Sequence, residues 1–296
     1  MSVGPAASPT TADRAPSDAP WRKAVRHLRR NPTAMVGLGA LVLLVVVAIA
    51  APWIAPHDPI RQNPLMSLKP PSAEHWLGTD QFGRDIFSRI LFGARISLRI
   101  GLVSVGIAIA LGGFLGLVSG FYGGWLDQLI SRFVDLLLAF PGILLALVIV
   151  SVIGPSLTNV MIAVGISATP TYARVVRGSV LAARENVYVE AAHALGAGDR
   201  RVLSRHVLPN VLAPVIVLAT LGVAGAILTG AALSFLGLGA APPTPEWGAM
   251  LSEGRNYMRL AWWISTFPGL AIMVAVLATN LFGDGLRDAL DPRVRS

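Results

Sequence analysis

The chain has 296 residues, of which 54% are hydrophobic and only 14% charged, and its mean hydropathy is +0.63. Soluble globular domains carry about 25% charged residues, so this composition excludes an ordinary soluble domain and suits a chain surrounded mostly by hydrocarbon. The net charge of +8 comes mainly from arginines that flank apolar runs instead of forming one basic face, which argues against a nucleic-acid-binding protein. The absence of cysteine excludes disulfides, thiol nucleophiles and cysteine-ligated metals.

The N-terminal segment divides into a polar part and an apolar run. Residues 1–30 begin with Ala, Ser, Thr, Pro and Asp and end in a basic stretch, which predicts a disordered, basic cytoplasmic tail. The run at 33–54 contains no charged residue and is long enough to span a bilayer, so we assign a first transmembrane helix within 31–55. A signal peptide is the competing interpretation, because Ala48-Ile49-Ala50 has the form of a cleavage site. The apolar run is longer than a usual signal h-region of about 7–15 residues, which favours a retained anchor.

Five further apolar runs predict five more spans, near 96–120, 130–153, 157–176, 211–238 and 262–282. The sequence therefore predicts an all-α polytopic membrane protein with six transmembrane helices. Residues 56–94 would form an extracytoplasmic loop, and 95–284 the core membrane domain with a cytoplasmic loop at 177–210. Residues 285–296 would form a short C-terminal tail.

The distribution of basic residues predicts the orientation of these spans. With the N-terminus inside, most of the 24 Lys and Arg residues fall on the cytoplasmic side, and the exceptions cluster just before the second span. Because cytoplasmic loops carry an excess of Lys and Arg, both termini are expected in the cytoplasm of a bacterial inner membrane.

Several enzymatic functions are excluded by the motifs that are missing. A Walker A loop needs Gly-Lys followed by Ser or Thr, whereas Lys23 is followed by Ala and Lys69 by Pro. The chain also lacks HExxH spacing and a G-x-S-x-G elbow. His57-Asp58 and His75 are candidate metal ligands in the outer loop, but solvated loop histidines are the preferred interpretation. We therefore expect no catalytic residue, no metal site and no cofactor in this chain.

The deep interiors of the predicted spans are almost free of charge, which predicts a conduit whose energy source lies elsewhere. The nearest exceptions are Asp127, Arg132 and Asp135 at the start of the third span. Arg132 and Asp135 are three residues apart, so on a helix they are expected to neutralise each other as a structural pair. The alternative is a self-sufficient secondary transporter or channel, in which such charges would form a proton relay.

Residues 190–210, EAAHALGAGDRRVLSRHVLPN, predict a helix–turn–helix on the cytoplasmic side. Glycines at 196 and 198 break the first helix, and Asp199 is placed to cap a second helix over 200–207. Pro209 is expected to end that helix and redirect the chain into the fifth span. A protruding short helix of this kind suits docking of a soluble partner. An amphipathic interfacial connector is the other interpretation.

At this segment the sequence resembles the membrane permeases of ABC importers. Glu190-Ala191-Ala192, Gly196 and Leu208-Pro209 match the family's E-A-A signature at its spacing, although His206 stands where Ile is usual. Three further stretches resemble the second permease of the dipeptide, oligopeptide and nickel branch: Leu77-Gly78-Thr79-Asp80 through Asp85, residues 234–239, and residues 283–288 through Asp291-Pro292. The resemblance covers about residues 31–293.

The resemblance implies a type I ABC-importer permease fold and a set of partners. These would be a second homologous permease, two cytoplasmic ATPases that bind ATP and Mg²⁺, and an extracytoplasmic substrate-binding protein, all within membrane lipid and without nucleic acid. The solute would be a peptide or a similar molecule. The residues expected to couple to the ATPases are Glu190, Ala191, Ala192, Gly196, Ala197, Gly198, Asp199, Leu208 and Pro209. Glu190 and Gly196 are expected to matter for coupling and not for substrate choice.

Two further patterns carry structural predictions. Gly112, Gly116, Gly120 and Gly124 recur every four residues and predict a small-residue ridge for close helix packing, within the subunit or between two permeases. Residues 242–247, rich in proline and ending in Trp247, are a candidate outer plug or contact for the binding protein.

Overall fold

The computed structural model describes residues 20–290. The predicted disorder of residues 1–19 and the last part of the predicted C-terminal tail, 291–296, therefore lie outside the described residues. Residues 20–290 form an all-helical protein in which the only strand-like pairing is an isolated bridge between Thr79 and Asp85. The helices are α1 (Pro20–Arg30), α2 (Pro32–Ile54), α3 (Ile86–Tyr122), α4 (Gly124–Leu138), α5 (Gly142–Ile153), α6 (Leu157–Arg184), α7 (Val187–Ala194), α8 (Asp199–Val202), α9 (Leu208–Phe235), α10 (Trp247–Gly254) and α11 (Trp263–Leu290).

Four helical stretches are long and apolar enough to cross a membrane, namely α2, α3, Asp199–Phe235 and α11. If the bent pair of helices α4 and α5 is taken together as one span, the number of candidate spans is five. The remaining predicted span lies in α6, a helix of 28 residues that is less apolar because its second half contains Arg174, Arg177 and Arg184. The number six therefore stays a prediction.

The third predicted span, 130–153, is not one straight helix. It is divided into α4 and α5, whose axes differ in direction by 92°. The break falls at Pro141, which has no N–H to donate and whose ring disfavours a helical conformation at Phe140. Pro141 then precedes α5 as its N-terminal flanking residue. The apolar run predicted the membrane location, but the proline divides it into two short helices.

Helix α3 is the central element of the bundle and packs along α6 and α9. It passes through three apolar clusters in turn. One, around Trp247 and Trp263, lies at its beginning, the second surrounds Ala108, and the third contains Phe121 near its end. The first and third clusters therefore mark opposite ends of the molecule, separated by most of the 37 residues of α3.

The glycine ridge of α3 faces α6. A Cβ atom added to Gly112 or Gly116 would lie 2.5 Å from the carbonyl oxygen of Thr169 or Ala173, and one at Gly120 would lie 2.9 Å from Val180. These three glycines thus allow close approach of two helices within the subunit. Gly124 does not belong with them, because it begins α4 and no atom from another described element lies within 4 Å of where its side chain would start.

The ends of the chain contain more helix than predicted. Residues 20–30, expected to be disordered, form α1, which packs against α11. Asn31 ends that helix and caps α2, since its Oδ1 accepts a hydrogen bond from the Ala34 amide. Helix α3 begins at Ile86, inside the predicted loop 56–94, and α11 continues to Leu290, beyond the predicted boundary at 284. Packing against neighbouring helices extends these elements beyond their apolar runs.

Candidate functional site

Residues 187–202 form a helical elbow, α7 and α8 joined by a tight turn at Gly196. Gly196 adopts a φ of +81°, its amide donates to the His193 carbonyl at 2.9 Å, and the Ala197 amide donates to the Ala192 carbonyl at 3.0 Å. This pair of hydrogen bonds is a Schellman motif, in which a left-handed glycine ends a helix and satisfies its last carbonyls. The glycine of the E-A-A signature therefore has a definite structural role.

The second half of the elbow differs from the prediction at both ends. Gly198, and not Asp199, is the N-terminal flanking residue of α8, and Asp199 is the first helical residue. Pro209 does not end the helix, because the chain stays helical from Asp199 to Phe235. A π-helical turn over Leu203–Val207 precedes Pro209, and in it the Leu208 amide donates a hydrogen bond to the Leu203 carbonyl. This wider turn accommodates the missing N–H of proline without breaking the helix.

The elbow is anchored on one side and exposed on the other. Val189, Val202 and Val207 are buried in the cluster that contains Phe121 and Val180 of α3 and α6. This cluster fixes the elbow to the ends of the long helices.

The outer side of the elbow carries apolar residues that are not packed in this cluster. Leu195 at the tip is 88% exposed, and Val187 is 79% exposed. Within residues 20–290, the exposed carboxylate of Glu190 makes no hydrogen bond or ion pair. Together, the exposed Val187 and Leu195 make the elbow a candidate surface for contact with another protein.

The predicted coupling residues divide into two groups. Seven lie on the elbow: Glu190, Ala191, Ala192, Gly196, Ala197, Gly198 and Asp199. Ala192 and Ala197 are half-buried against the anchoring cluster, and the other five are exposed. Leu208 and Pro209 lie beyond the π-helical turn, at the start of α9.

Two ion pairs join α6 to α4 near the same end of the bundle. Arg177 donates to both carboxylate oxygens of Asp127, at 2.6 and 2.7 Å, and Arg174 lies 2.7 Å from Asp135. The predicted neutralisation of Asp135 by Arg132 is therefore wrong, because Asp135 turns to α6 instead. The bidentate pair with Asp127 has the geometry of a strong charge-assisted contact. Sequence spacing suggested only partners within α4, since a contact with α6 depends on the fold.

The opposite end of the bundle contains a buried charge network that sequence analysis missed. Arg84 is 1% exposed and binds Asp80 as well as Glu253, whose Oε2 lies 2.6 Å from its guanidinium nitrogen. Arg89 adds hydrogen bonds to the carbonyl oxygens of Pro59 and Pro243, each at 3.2 Å. The Gly83-Arg84-Asp85 stretch had been singled out in the sequence, but nothing there indicated a buried ion pair. The partner of Arg84 is Glu253, which lies far along the sequence on α10.

Residues 242–247 are divided between surface and interior: Pro242 and Pro243 are exposed, whereas Pro245, Glu246 and Trp247 are buried in this packed end. Trp247 is 1% exposed, and its indole N–H donates to the Ile90 carbonyl at 3.1 Å. Glu246 caps α10, because its carboxylate accepts from the amides of Gly248 and Ala249. Burial raises the pKa of the Glu246 carboxyl above its usual value, although these amide hydrogen bonds oppose the shift. Glu246 and Trp247 therefore stabilise this end of the bundle, and the role of the segment as an outer plug or a contact for the binding protein stays a prediction.

The prediction of solvated loop histidines is wrong for His75. Its side chain is buried, and its Nδ1 lies 2.9 Å from the Asp85 carboxylate. Asp85, and not Asp58, is the carboxylate that His57 and His75 share.

A cleft of about 290 Å³ lies between α3, α5, α6 and α9, near the middle of the bundle. Most of its wall is apolar, with five hydroxyl groups along it. These belong to Ser104, Ser167, Thr171, Tyr172 and Thr229. The hydroxyls of Ser104, Ser167 and Tyr172 already donate to main-chain carbonyl oxygens, so toward a polar solute they can act only as hydrogen-bond acceptors.

Comparison with known families identifies the class of the protein. Residues 112–296 match the family described as "Binding-protein-dependent transport system inner membrane component". Residues 19–71 match the "N-terminal TM domain of oligopeptide transport permease C". The chain therefore belongs to the inner-membrane permease family of binding-protein-dependent ABC importers.

Relatives place the chain more narrowly and confirm the predicted resemblance to the dipeptide and oligopeptide type. The chain is 50% identical to the "Dipeptide transport system permease protein DppC" of Alkalihalophilus pseudofirmus, covering 98% of this chain and 95% of the relative. It is also 50% identical to the "Glutathione transport system permease protein GsiD" of Escherichia coli, over 93% of this chain and 91% of that one.

The fold is similar to that of a solved ABC transporter. A chain of the inward-facing "MetNI methionine ABC transporter" superposes with a TM-score of 0.57 at 19% identity, covering 70% of this chain and 98% of that one. A second crystal form gives a TM-score of 0.56.

Proposed function

We propose that this chain forms, with a second homologous permease, the translocation path of an ATP-driven importer for di- or oligopeptides. The observation that carries the proposal is the exposed elbow on an apolar anchor, in a chain 50% identical to a permease named for dipeptide transport. The second relative is named for glutathione, which is itself a short peptide, so both names support a peptide solute. The partner ATPases would bind ATP and Mg²⁺ and carry out the hydrolysis.

The proposed topology has six spans with both termini in the cytoplasm. It rests on the excess of Lys and Arg on one side of the predicted spans. In this orientation the elbow faces the ATPases, and the buried network of Arg84 and Glu253 faces the binding protein. The bent pair α4 and α5 would count as one span and α6 as another.

The proposed mechanism treats the elbow as a rigid lever. An ATPase that grips Glu190 and the exposed Leu195 would move α7 and α8 together, because Val189 and Val202 are fixed in the apolar cluster. The cluster passes this motion to α3 and α6. The bidentate pair of Arg177 with Asp127 then passes it to α4. Alternation between outward-facing and inward-facing states follows as a rigid-body rearrangement.

The cleft lined by Ser104, Thr171 and Tyr172 would supply this subunit's half of the path. At about 290 Å³ it is at the low end of ligand-pocket sizes. A second permease on its open side would enlarge it to the size of a peptide. Uncharged hydroxyl groups favour passage over tight binding, so selectivity would rest with the binding protein.

The experiment that tests this function is affinity purification of the full-length chain from its native membranes in mild detergent. Stoichiometric recovery of a second permease and ATPases, followed by ATP-dependent uptake of a labelled dipeptide into proteoliposomes, is the expected result. Recovery of the chain alone, under conditions that preserve a control complex, together with peptide uptake that does not need ATP, would instead support a secondary transporter.

A further inference from the structure

We propose that His57, His75 and Asp85 form a binding site for a divalent first-row transition metal of the Zn²⁺ type. One potential ligand atom from each residue lies within 4.8 Å of the other two. The site is remote from the elbow and does not depend on the proposed transport function. Its two histidines come from the loop between α2 and α3, and Asp85 directly precedes α3.

The distances fit a small metal ion. The Nδ1 atom of His75 lies 2.9 Å from Asp85 Oδ1, and the Nδ1 atom of His57 lies 3.8 Å from Asp85 Oδ2. Metal–nitrogen bonds of 2.0–2.1 Å in a tetrahedral site place neighbouring ligand atoms about 3.4 Å apart. The two observed distances lie on either side of this value, so small side-chain movements would complete the coordination.

His57 provides an observation that favours a bound cation. Its Nδ1 atom is buried and finds no hydrogen-bond partner within residues 20–290, because the 3.8 Å separation from Asp85 is too long for a hydrogen bond. A buried polar atom without a partner costs free energy, and a bound cation would remove that cost. The rest of the His57 side chain is 37% exposed, which leaves a route from solvent to the site.

Asp85 is held in place by a second set of contacts. Its Oδ2 accepts hydrogen bonds from the amide and the hydroxyl of Ser88, at 2.8 and 2.7 Å. The hydroxyl oxygen of Ser88 also accepts from the His57 amide at 3.2 Å. This arrangement orients the carboxylate and leaves Oδ1 facing His75 alone. Contacts of this kind orient ligands in known metal sites.

The ligand set selects the class of metal. Two imidazole nitrogens and one carboxylate suit Zn²⁺, Co²⁺ or Ni²⁺, whereas Ca²⁺ and Mg²⁺ prefer oxygen ligands. Three protein ligands leave one tetrahedral position for water. A bound metal would tie the loop after α2 to the beginning of α3, and therefore stabilise this end of the bundle.

The test is a titration with Co²⁺ alone, using the full-length chain purified in mild detergent from its native membranes, after treatment with a chelator. The affinity tag must not contain histidine. The decisive variant is His57→Ala, because within residues 20–290 this side chain makes no hydrogen bond through Nδ1, and the contact it gives up is the packing of its ring on His75, with ring centroids 4.6 Å apart. The matched control is His27→Ala, which removes an exposed histidine of α1.

We expect one saturable Co²⁺ per chain with the visible absorption of nitrogen and oxygen ligands, displaced by Zn²⁺. His57→Ala should bind at least about tenfold more weakly, since even the loss of a supporting contact costs metal sites 10–100-fold. His27→Ala should bind like the unmodified chain. Zn²⁺ should also raise the thermal midpoint of the unmodified chain but not that of His57→Ala. No saturable binding, or equal binding by His57→Ala, would overturn the proposal.

Discussion

Gly196 ends α7 in a conformation that only glycine adopts without strain. Its φ of +81° places it in the left-handed region, where a Cβ atom costs about 1–2 kcal/mol. The nearby Gly198 has an ordinary φ of −70°, and apart from its chain neighbours no atom of residues 20–290 lies within 4 Å of where its side chain would begin. Of the two glycines in this turn, Gly196 is therefore required by its backbone conformation, whereas position 198 can accept another residue.

Substitution by alanine should affect the two glycine positions differently. Gly196→Ala is expected to destabilise the elbow by about 1 kcal/mol or more, because alanine must either adopt the strained conformation or break the Schellman hydrogen bonds. Hydrogen exchange at the amides of residues 196 and 197 would report this as faster local opening. Gly198→Ala is the control and should leave exchange unchanged. Equal protection in the two variants would mean that the turn does not depend on the glycine conformation.

Arg84 illustrates how a buried charge depends on its partners. Its guanidinium group is 1% exposed and is neutralised by Asp80 and Glu253. Among the residues that the structure describes, removing Arg84 leaves the two carboxylates with Arg89 as the one cation that still pairs with them, at 3.7 Å from Asp80 and 3.4 Å from Glu253. One buried negative charge is then uncompensated, and breaking a buried pair in this way costs about 3–5 kcal/mol.

Arg84→Met should therefore lower thermal stability strongly in detergent, with Arg61→Met, at an exposed position of the same loop, as the control. The control should shift the free energy of unfolding by no more than about 0.5 kcal/mol. If both variants unfolded at the temperature of the unmodified chain, the network would not stabilise this end of the bundle.

At the scale of elements, the contact between α3 and α6 depends on small residues. A Cβ atom at Gly116 would lie 2.5 Å from the Ala173 carbonyl oxygen, closer than atoms can approach without movement. At Gly113, on another face of the same helix, no atom from the other helices and loops that the structure describes lies within 4 Å of the corresponding point. Helix association in membranes depends on such close backbone approach.

Gly116→Ala should force α3 and α6 apart and destabilise the subunit by about 1–3 kcal/mol, as overpacking does in other cores. Gly113→Ala, with the same change in composition and helix propensity, should be neutral or slightly stabilising. The thermal midpoints of the two purified variants provide the comparison. A Gly116→Ala variant as stable as Gly113→Ala would show that the helices are not held at this distance.

Over the whole molecule, the elbow and the buried charge network lie at opposite ends of α3. This helix has 37 residues and is about 55 Å long, longer than the hydrocarbon core of a bilayer. Both ends are fixed to it by packed clusters, one around Phe121 and one around Trp247. A movement imposed at the elbow would therefore reach the other end through helices that are packed along their length.

Sequence patterns predicted the features that depend on local chemistry. Uninterrupted apolar runs predicted α2, α9 and α11, and the glycine at 196 predicted the turn after α7. The patterns failed where distant segments decide the outcome. The partner of Asp135 is Arg174 of α6, and the partner of Arg84 is Glu253 of α10, and neither pairing has a signature in sequence spacing. Pro141 and Pro209 carry the same local signal, yet one divides a helix and the other follows a π-helical turn within a continuous one.

The burial of loop residues was also beyond sequence reasoning. His75 and Trp247 lie in polar, proline-rich segments that predict exposure, but both are buried at the end of the bundle where α3 begins. Their burial results from α10 and the loop after α2 folding together over the beginning of α3. A linear pattern has no information on such an arrangement.

The measurement that tests the central claim most directly is ATP-dependent peptide uptake by the reconstituted complex carrying Glu190→Ala, with Glu185→Ala as the matched control. Both glutamates are exposed, five positions apart, and only Glu190 lies on the elbow. Truncating a central interface residue costs about 2 kcal/mol or more, so uptake by Glu190→Ala should fall about tenfold or more and the recovery of ATPase with the chain should decrease. Glu185→Ala should retain uptake within about twofold. Normal uptake and normal ATPase recovery with Glu190→Ala would contradict the assignment of the elbow as the coupling site.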